Sequence, residues 1–163
     1  MEKPELVLVL VSIRSLFNVG GLFRTADAVG ASKIYLTGYT GTPEQSKVAK
    51  TALGAQDRVA WQKVRSASAL IQELKTDGFD IVALEKTETS VDYRDWQPKR
   101  KTALLLGNEI TGISPRVLKS CDLVVHLPMA GIKESLNVAV AGGAAAYHWL
   151  ARTQPKPHYG SST

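Results

Sequence analysis

Residues 6–37, LVLVLVSIRSLFNVGGLFRTADAVGASKIYLT, decide the fold class of this chain. The stretch opens with an unbroken apolar run at 6–11, which is typical of a strand buried on both faces of a parallel sheet. A largely apolar stretch at 19–29 predicts a helix, and we expect Gly30 to end it. Residues 33–37 then predict a second strand. A strand, a helix and another strand in this order indicate a parallel α/β sheet.

The rest of the chain continues this alternation of short apolar runs and amphipathic stretches. Further strands are predicted at 59–64, 80–84, 102–106 and 122–127. Further helices are predicted from Pro43 to Gly54, from Ser66 or Ser68 to Asp77, from Pro115 to Lys119 and from Ser135 to Arg152. The pattern indicates an α/β fold with a parallel sheet of about six strands and helices on both faces. We expect one domain over 1–152 and a flexible tail over 153–163.

The composition excludes several classes of protein. Hydrophobic residues make up 44% of the 163 and charged residues 21%, which excludes a disordered chain. The formal net charge of +5 favours an acidic partner, such as nucleic acid, an anionic cofactor or an anionic membrane surface. Cys121 is the single cysteine, so we expect no intrachain disulfide and no multi-cysteine metal site. The histidines lack metal-like spacing and no apolar run could span a bilayer, so we expect a metal-free cytoplasmic protein.

The loop after the first strand lacks the glycine fingerprint of dinucleotide-binding domains. A Rossmann fold would place G-x-G-x-x-G after Val11, whereas residues 12–21 are SIRSLFNVGG. Glycine-rich turns that carry polar side chains come later, at 107–112 and 128–137. These later turns are therefore the better candidates for a ligand site.

A first polar cluster, NVGGLFR, extends from Asn18 to Arg24. Arg24 lies near the middle of a predicted helix whose other residues are mostly apolar. Six residues turn a helix by roughly 600°, so Asn18 and Arg24 can meet only if Asn18 lies in the loop before the helix. We expect Asn18 at that N-cap position. The alternative to a functional pair is an N-cap together with an arginine that lies across an apolar surface.

Two further polar clusters follow predicted buried strands. LLLGNEITGIS, at 104–114, places Glu109 shortly after a run of leucines, and LPMAGIKESLN, at 127–137, places Ser135 and Asn137 at the start of a long apolar helix. Open α/β sheets bind their ligands at the carboxyl ends of the strands. The alternatives are a plain turn for the first and a simple N-cap at Ser135 for the second. Because all the clusters fall at one edge of the sheet, together they favour a site.

In this order and separation, the clusters resemble the three motifs of the SpoU/TrmH family of RNA ribose 2′-O-methyltransferases, in the SPOUT superfamily. The matching phrases are NVGGLFRTADAVGA at 18–31, LLLGNEITGIS at 104–114 and LPMAGIKESLNVAVA at 127–141. KTALGA at 50–55 is a further phrase typical of that family. The similarity extends from about residue 6 to residue 150.

The resemblance implies properties that spacing alone does not give. It implies a C-terminal segment threaded into a trefoil knot, a feature nearly absent from other proteins. It also implies S-adenosylmethionine as the methyl donor, held in the knot loops largely by backbone groups, and a homodimer that completes each active site. The small residues at 142–146 in the last predicted helix fit such an interface. The alternative is that they bury this helix inside its own domain.

Carried over position by position, the resemblance assigns two sets of residues. The polar active-site residues are Arg24, Asn18, Glu109, Ser135 and Asn137. The cofactor-binding residues are Leu84, Gly107, Leu127, Ser135 and Leu136.

The role of Arg24 is a chemical question. In the family, the corresponding arginine activates the ribose 2′-hydroxyl, sometimes as a general base. A guanidinium stays protonated at ordinary pH, so we expect Arg24 instead to bind a phosphate and stabilise developing alkoxide charge. We expect Asn18, Ser135 and Asn137 to orient Arg24 and the ribose. Glu109 would fix either the loop geometry or Arg24 itself.

Basic residues outside the motifs are expected to contact RNA phosphates. They are Arg14, Lys47, Lys50, Arg58, Lys99, Arg100 and Lys101. The alternative for each is an ordinary solvated side chain.

The expected function is methyl transfer from S-adenosylmethionine to a ribose 2′-hydroxyl of structured RNA. We favour tRNA over rRNA because some relatives of this minimal size act on tRNA, and an accessory protein could help to select the substrate. One alternative is a SPOUT protein that binds S-adenosylmethionine or RNA without catalysis. Another is a base-methylating SPOUT enzyme, which would carry a different first motif with an acidic base in place of Arg24.

Overall fold

The computed structural model describes residues 2–156 of the chain. Its strands are β1 (Glu5–Val11), β2 (Lys33–Thr37), β3 (Ala60–Val64), β4 (Asp80–Leu84), β5 (Val91–Asp92), β6 (Lys101–Gly107) and β7 (Leu123–His126). Its α-helices are α1 (Leu16–Val29), α2 (Ser46–Ala52), α3 (Ala67–Thr76), α4 (Pro115–Ser120) and α5 (Val138–Thr153). Short 3-10 helices cover Ala55–Asp57 and Tyr93–Asp95.

The strands form one parallel sheet in the order β3-β2-β1-β6-β4-β7-β5. The predicted α/β class is confirmed, but the sheet has 7 strands instead of about six. The missed strand, β5, contains only 2 residues, Val91 and Asp92, and this length is too short to give a period in the sequence. Because the pairings are parallel, β1, β6, β4 and β7 all present their carboxyl ends at one edge.

Alternate residues of the central strands supply two hydrophobic cores. In β1, Leu6, Leu8 and Leu10 pack under α1, α2 and α5, while Val7 and Val9 pack under α3 and α4. This division confirms that helices cover both faces of the sheet. It also explains the unbroken apolar run at 6–11, since neither face of β1 meets water.

The start of α1 differs from the prediction. Asn18 is not the N-cap: the helix begins at Leu16, and the Ser15 side chain accepts a hydrogen bond from the Asn18 backbone N–H at 3.2 Å. Asn18 therefore lies within the first turn, and its side chain is free for other partners. The predicted end is confirmed, because Gly30 adopts a left-handed conformation with φ 70°.

The starts of α5 and α2 also differ from the prediction. α5 begins at Val138, and its N-cap is Asn137, whose Oδ1 accepts from the N–H groups of Ala139 and Val140 at 2.9 and 3.3 Å. Ser135 is not a cap and belongs to the preceding loop. α2 begins at Ser46 instead of near Pro43, because residues 43–45 form a turn. In this turn the Thr42 N–H donates to Gln45 Oε1 at 3.0 Å.

The domain boundary at 152 and the trefoil knot stay predictions. α5 runs to Thr153, one residue past that boundary, and residues 157–163 of the predicted tail lie outside the described residues. Among the helices at 2–156, none has the length and apolarity that a membrane crossing needs.

α1 and α5 pack closely because small residues lie between them. A Cβ at Gly142 would come within 2.8 Å of Leu22 and 2.9 Å of Leu106, and a Cβ at Gly21 would lie 3.4 Å from Ala139. At Gly143 the nearest neighbour, Thr25, would be 3.6 Å away, which is ordinary contact. Gly142 therefore serves packing inside the domain, whereas the homodimer expected at this helix stays a prediction.

The glycine pair of α5 provides a matched stability test. Gly143→Ala should raise the free energy of unfolding by up to about 1 kcal/mol, because alanine favours a helix and has room there. Gly142→Ala gains the same propensity but pushes Leu22 and Leu106 apart, so it should be less stable than Gly143→Ala by about 1–3 kcal/mol. Urea unfolding of both variants measures the difference. Equal stabilities would contradict the close packing at Gly142.

Candidate functional site

A cleft lies at the edge of the sheet where β4 and β6 end and α5 begins. It has a volume of about 400 Å³ and adjoins a smaller pocket of about 120 Å³ next to the end of β7. The larger cleft is lined by Leu84, Gly107, Ser135 and Leu136, and the smaller one by Leu84, Leu127, Ser135 and Leu136. All residues predicted to bind the cofactor thus line one continuous depression.

Three polar side chains connect the loops around this cleft. Asn137 Nδ2 donates to Asn18 Oδ1 at 3.1 Å, and Asn18 Nδ2 donates to Glu109 Oε1 at 2.9 Å. Glu109 also accepts from the backbone N–H groups of Arg14 and Ser15, at 2.9 and 3.1 Å. One carboxylate therefore ties the loop after β1 to the loop after β6, and the asparagine pair extends the connection to the start of α5.

The same hydrogen bonds set the charge state of Glu109. Partial burial acts to raise its pKa, but the bonds from Asn18, from the backbone N–H groups of Arg14 and Ser15, and from its own N–H outweigh burial and hold the pKa below its usual range. Glu109 is thus an anion in the folded protein at neutral pH. Within one chain, Glu109 bonds to the loop after β1 and to Asn18, and it does not bond to Arg24.

Arg24 does not join this network. It is exposed on α1, and in the described part of the chain its side chain forms no hydrogen bond or ion pair. Because Asn18 and Arg24 both lie in the helix, they are separated by about two-thirds of a turn and about 9 Å along the axis. Within one chain, Asn18 bonds to both Asn137 and Glu109, and neither asparagine orients Arg24.

The sequence analysis missed Asn108, which holds the loop after β6. It is 8% exposed, and its Oδ1 accepts from the N–H groups of Ile110 and Thr111, both at 2.8 Å. Its Nδ2 donates to Ser12 O at 2.9 Å and to Tyr39 Oη at 2.6 Å. The ring of Tyr39, 64% exposed, is thereby fixed beside the site. A polar residue directly after a buried strand was the available signal.

Glu85 is the second residue that the sequence analysis missed. It follows β4 directly, lines both clefts, and its Oε2 accepts from Ile113 N–H at 3.0 Å. An acidic residue at the end of a buried strand is the signal that identified Glu109, and the same argument applied to β4 would have found Glu85.

The predicted RNA-binding residues do not form one surface. Arg14 lies in the loop after β1 at the cleft edge, and Lys47 and Lys50 are exposed on α2. Arg58 is exposed before β3.

The basic triplet 99–101 lies at the other end of the sheet, at the amino end of β6. Its members bond locally: Lys99 to Asp80 at 3.3 Å, Arg100 to Glu2 O at 2.9 Å, and Lys101 to Asp77 O at 2.6 Å. A seven-residue strand spans about 20 Å, so this triplet is remote from the cleft.

The chemistry available at the cleft is that of binding and orientation. Apolar walls, glycine backbone, amides and carboxylates line it. Within residues 2–156, no group of three or more His, Cys, Asp or Glu side chains could hold a metal ion.

Comparisons with known proteins identify the family that the sequence motifs resemble. A model of the SpoU rRNA Methylase family matches residues 5–147. A tRNA (guanosine(18)-2′-O)-methyltransferase of Aquifex aeolicus is 31% identical over 97% of this chain and 74% of the relative. The Escherichia coli K12 protein of the same description is 31% identical over 90% of this chain and 63% of its own.

Solved structures are similar over the same region. An AdoMet-bound rRNA methyltransferase from Sinorhizobium meliloti has a TM-score of 0.87 at 28% identity, over 94% of this chain and 59% of that one. A structure concerning 2-OH methylation of C/U34 on tRNA has a TM-score of 0.82 at 27% identity, over 91% of this chain and 95% of that one. The chain thus spans about three fifths of the Escherichia coli and Sinorhizobium proteins but nearly all of the last one.

The hydrogen bonds to Glu109 give a pH-dependent stability. Its pKa is lowered on folding, so its contribution is present above its unfolded pKa and is lost as pH falls through the folded pKa. Glu109→Gln should therefore lower the free energy of unfolding at pH 7 by about 1 kcal/mol, a value reduced by solvent screening. The difference should shrink below about pH 4. Urea unfolding at pH 7 and at pH 3.5 measures it.

The matched control is Glu134→Gln, since Glu134 is exposed and its carboxylate has no hydrogen-bond partner among residues 2–156. It should unfold like the wild type at both pH values. A Glu109→Gln variant as stable as this control at pH 7 would contradict the role given to the carboxylate.

Proposed function

The chain belongs to the SpoU rRNA methylase family, and we therefore propose that it transfers a methyl group from S-adenosylmethionine to a ribose 2′-hydroxyl of RNA. The observation that carries the proposal is the hydrogen-bonded chain Asn137–Asn18–Glu109, because it unites the three sequence motifs around one cleft. Such a network keeps the loops in place before any ligand binds.

The lining of the cleft fits S-adenosylmethionine. Leu84, Leu136 and Ala141 provide apolar surface for the adenine, and the volume is within the usual range for a small-molecule site. Gly107 lines the same cleft, and it has to be a glycine because a Cβ there would come within 2.9 Å of Ile113 N in the loop that follows. When bound, the cofactor supplies a methyl group on a sulfonium that is already a good leaving group.

The chain's own residues then have to position the ribose and its 2′-oxygen. Ser135 lines the cleft, and its hydroxyl has no hydrogen-bond partner among residues 2–156, so it is available to the substrate. Asn137 bonds to Asn18, and Asn18 bonds to Glu109, so the role of both asparagines is to hold the loops. Arg24 binds the neighbouring phosphate and stabilises negative charge that develops on the oxygen.

A homodimer brings Arg24 to a cleft. Arg24 lies on the outer surface of α1, away from the cleft of its own chain. Phe17 on α1 and Val140 and Tyr147 on α5 are exposed apolar side chains. Such residues favour a protein interface. A second copy packed on these helices would place the Arg24 of one subunit at the cleft of the other.

The substrate is RNA, bound through Arg14, Lys47, Lys50 and Arg58, which are all exposed. We favour tRNA because a protein of nearly the same extent is the subject of a structure on tRNA methylation. An accessory protein that selects the RNA and a cytoplasmic location remain parts of this proposal. A protein that binds S-adenosylmethionine or RNA without catalysis is the alternative that the following assay decides.

Methyl transfer is tested with labelled S-adenosylmethionine and unmodified total RNA. Wild-type protein should label one RNA size class, and the product should resist alkali at a single linkage, because 2′-O-methylation removes the nucleophile for cleavage. Arg24→Ala should lower the rate at least about a hundredfold, as expected for loss of a charge-stabilising donor.

Arg116→Ala is the matched control, since Arg116 is exposed on α4, which packs on the other face of the sheet. It should label RNA at the wild-type rate. Binding of S-adenosylmethionine without any labelled RNA from the wild type, with no added partner protein and again in cell extract, would favour the binding protein without catalysis.

Subunit mixing tests whether Arg24 acts across the dimer. Leu136→Arg, in which a long charged side chain fills the cleft, should be inactive, and so should Arg24→Ala. A heterodimer of the two variants, purified through two different tags, should regain roughly half of the wild-type activity, because one of its two sites is intact.

No activity in a heterodimer that still binds one S-adenosylmethionine would show that Arg24 acts within its own chain. Leu136 is 44% exposed, so its replacement should leave the fold intact, which thermal unfolding checks.

A further inference from the structure

Glu85 lies where the depressions at the sheet edge meet. It lines the 400 Å³ cleft, the 120 Å³ pocket and a third depression bounded by residues 129–135. Its position follows from the chain, because it comes directly after Leu84, the last residue of β4. Its backbone N–H donates to Val125 O at 2.9 Å, so the main chain is still paired with β7 at this point.

The Glu85 carboxylate is held in a fixed orientation. Oε2 accepts from the backbone N–H of Ile113 at 3.0 Å, and Oε1 accepts from the N–H of Lys86 at 3.3 Å. The carboxylate also fills the space beside Gly112, where an added Cβ would come within 2.4 Å of Oε2. Gly112 has φ +66°, so this loop both needs a glycine and closes onto the carboxylate.

The carboxylate keeps hydrogen-bonding capacity that the protein does not use. A carboxylate has about four acceptor positions, and the two bonds above leave about half of them for a ligand. Glu85 is only half-buried, and it faces the cleft together with the apolar side chains of Leu84, Leu136 and Ala141. A charged acceptor is thus fixed next to the surface that suits an adenine.

We propose that the Glu85 carboxylate accepts hydrogen bonds from the ribose hydroxyls of the bound S-adenosylmethionine. This inference rests on the proposed function, which supplies the ligand. In a nucleoside the ribose is joined directly to the base, so a base against Leu84 and Leu136 puts the sugar hydroxyls within reach of the adjacent residue, Glu85. An acidic side chain at the end of a parallel strand recognises ribose hydroxyls in other nucleotide-binding sheets as well.

The competing partners for this carboxylate are the positive groups of the cofactor. The sulfonium and the ammonium carry charge, and an anion in the cleft would attract either. Lys86 follows Glu85 and lines the adjoining pocket, so the local charge is partly balanced already. The ribose contact differs from a charge contact in one measurable way, since it does not depend on the charge of the ligand.

Calorimetric titration of the purified chain with four ligands separates these contacts. The ligands are S-adenosylmethionine, S-adenosylhomocysteine, which lacks the sulfonium charge, and the 2′-deoxy and 3′-deoxy analogues of S-adenosylhomocysteine. Glu85→Gln is nearly isosteric, and its amide oxygen can keep the bond to Ile113 N–H. The matched control is Glu88→Gln, which removes a charge from an exposed position of the same loop.

Glu85→Gln should bind S-adenosylmethionine and S-adenosylhomocysteine about tenfold more weakly than the wild type, because a hydrogen bond to a charged group is lost. For at least one deoxy analogue the loss of affinity in the variant should be smaller than for S-adenosylhomocysteine, because that analogue lacks a hydroxyl that the carboxylate binds. Glu88→Gln should match the wild type with every ligand. Thermal unfolding without ligand should show that every variant is folded at the temperature of the titration.

Three results would overturn the inference while leaving the proposed function standing. They are unchanged affinity of Glu85→Gln for both natural ligands, a loss confined to S-adenosylmethionine, and an equal loss for all four ligands. The second would assign the carboxylate to the sulfonium. The third would assign it to the ammonium, which all four ligands carry, or to the shape of the loop. A wild-type chain that binds neither natural ligand would overturn the proposed function itself, and the ribose contact with it.

Discussion

The carboxylate of Glu109 is the constraint on which the arrangement of this site depends. It accepts from two backbone N–H groups of the loop after β1 and from the amide of Asn18. The loop after β1 and the loop after β6, which carries Glu109, are far apart in the chain. They are brought to one edge only because β1 and β6 are parallel neighbours. A parallel sheet aligns the strand ends, but it does not fix the loops that follow them. The charged acceptor does so, because a partly desolvated anion keeps its bonds only if the donors stay in place.

Close approach between backbone segments is the second condition for the arrangement of this site, and it explains the positions of its glycines. Gly107 ends β6 against the backbone of Gly112 and Ile113, and Gly112 in turn lies against the carboxylate of Glu85. The loop after β6 is therefore held from two sides. Asn108 Oδ1 accepts from the N–H groups of Ile110 and Thr111, and Glu85 Oε2 accepts from the N–H of Ile113. Small residues at this edge leave the volume of the cleft to a ligand instead of to side chains. A small residue also allows close approach between α1 and α5. Gly142 lets the helix that begins after Asn137 pack against the sheet.

The strands other than β5 and the starts of α3 and α4 were predictable from the sequence, whereas the starts of α1, α2 and α5 were not, for a physical reason. β4 was predicted at its observed bounds, and β2 likewise, because strands buried on both faces show as apolar runs. Ser15 and Asn18 are both good capping residues, as are Ser135 and Asn137, and local propensity does not choose between such candidates. The choice depends on tertiary partners: Asn18 is needed by Glu109, which leaves Ser15 to cap α1. The motifs located the edge of the site, but its hydrogen bonds depend on a sheet order that the sequence alone does not show.

The position of Arg24 depends on where α1 begins. It also bears on how the proposed active site is completed. Once Asn18 belongs to the helix, the Cα–Cβ bond of Arg24 leaves the helix about two-thirds of a turn further round than that of Asn18. Among the residues that line the 400 Å³ cleft of one chain, acceptors and apolar side chains are present, but no lysine or arginine is. In the homodimer that we propose, a second copy supplies the guanidinium. The exposed apolar side chains of α1 and α5 lie near Arg24, the residue that would cross.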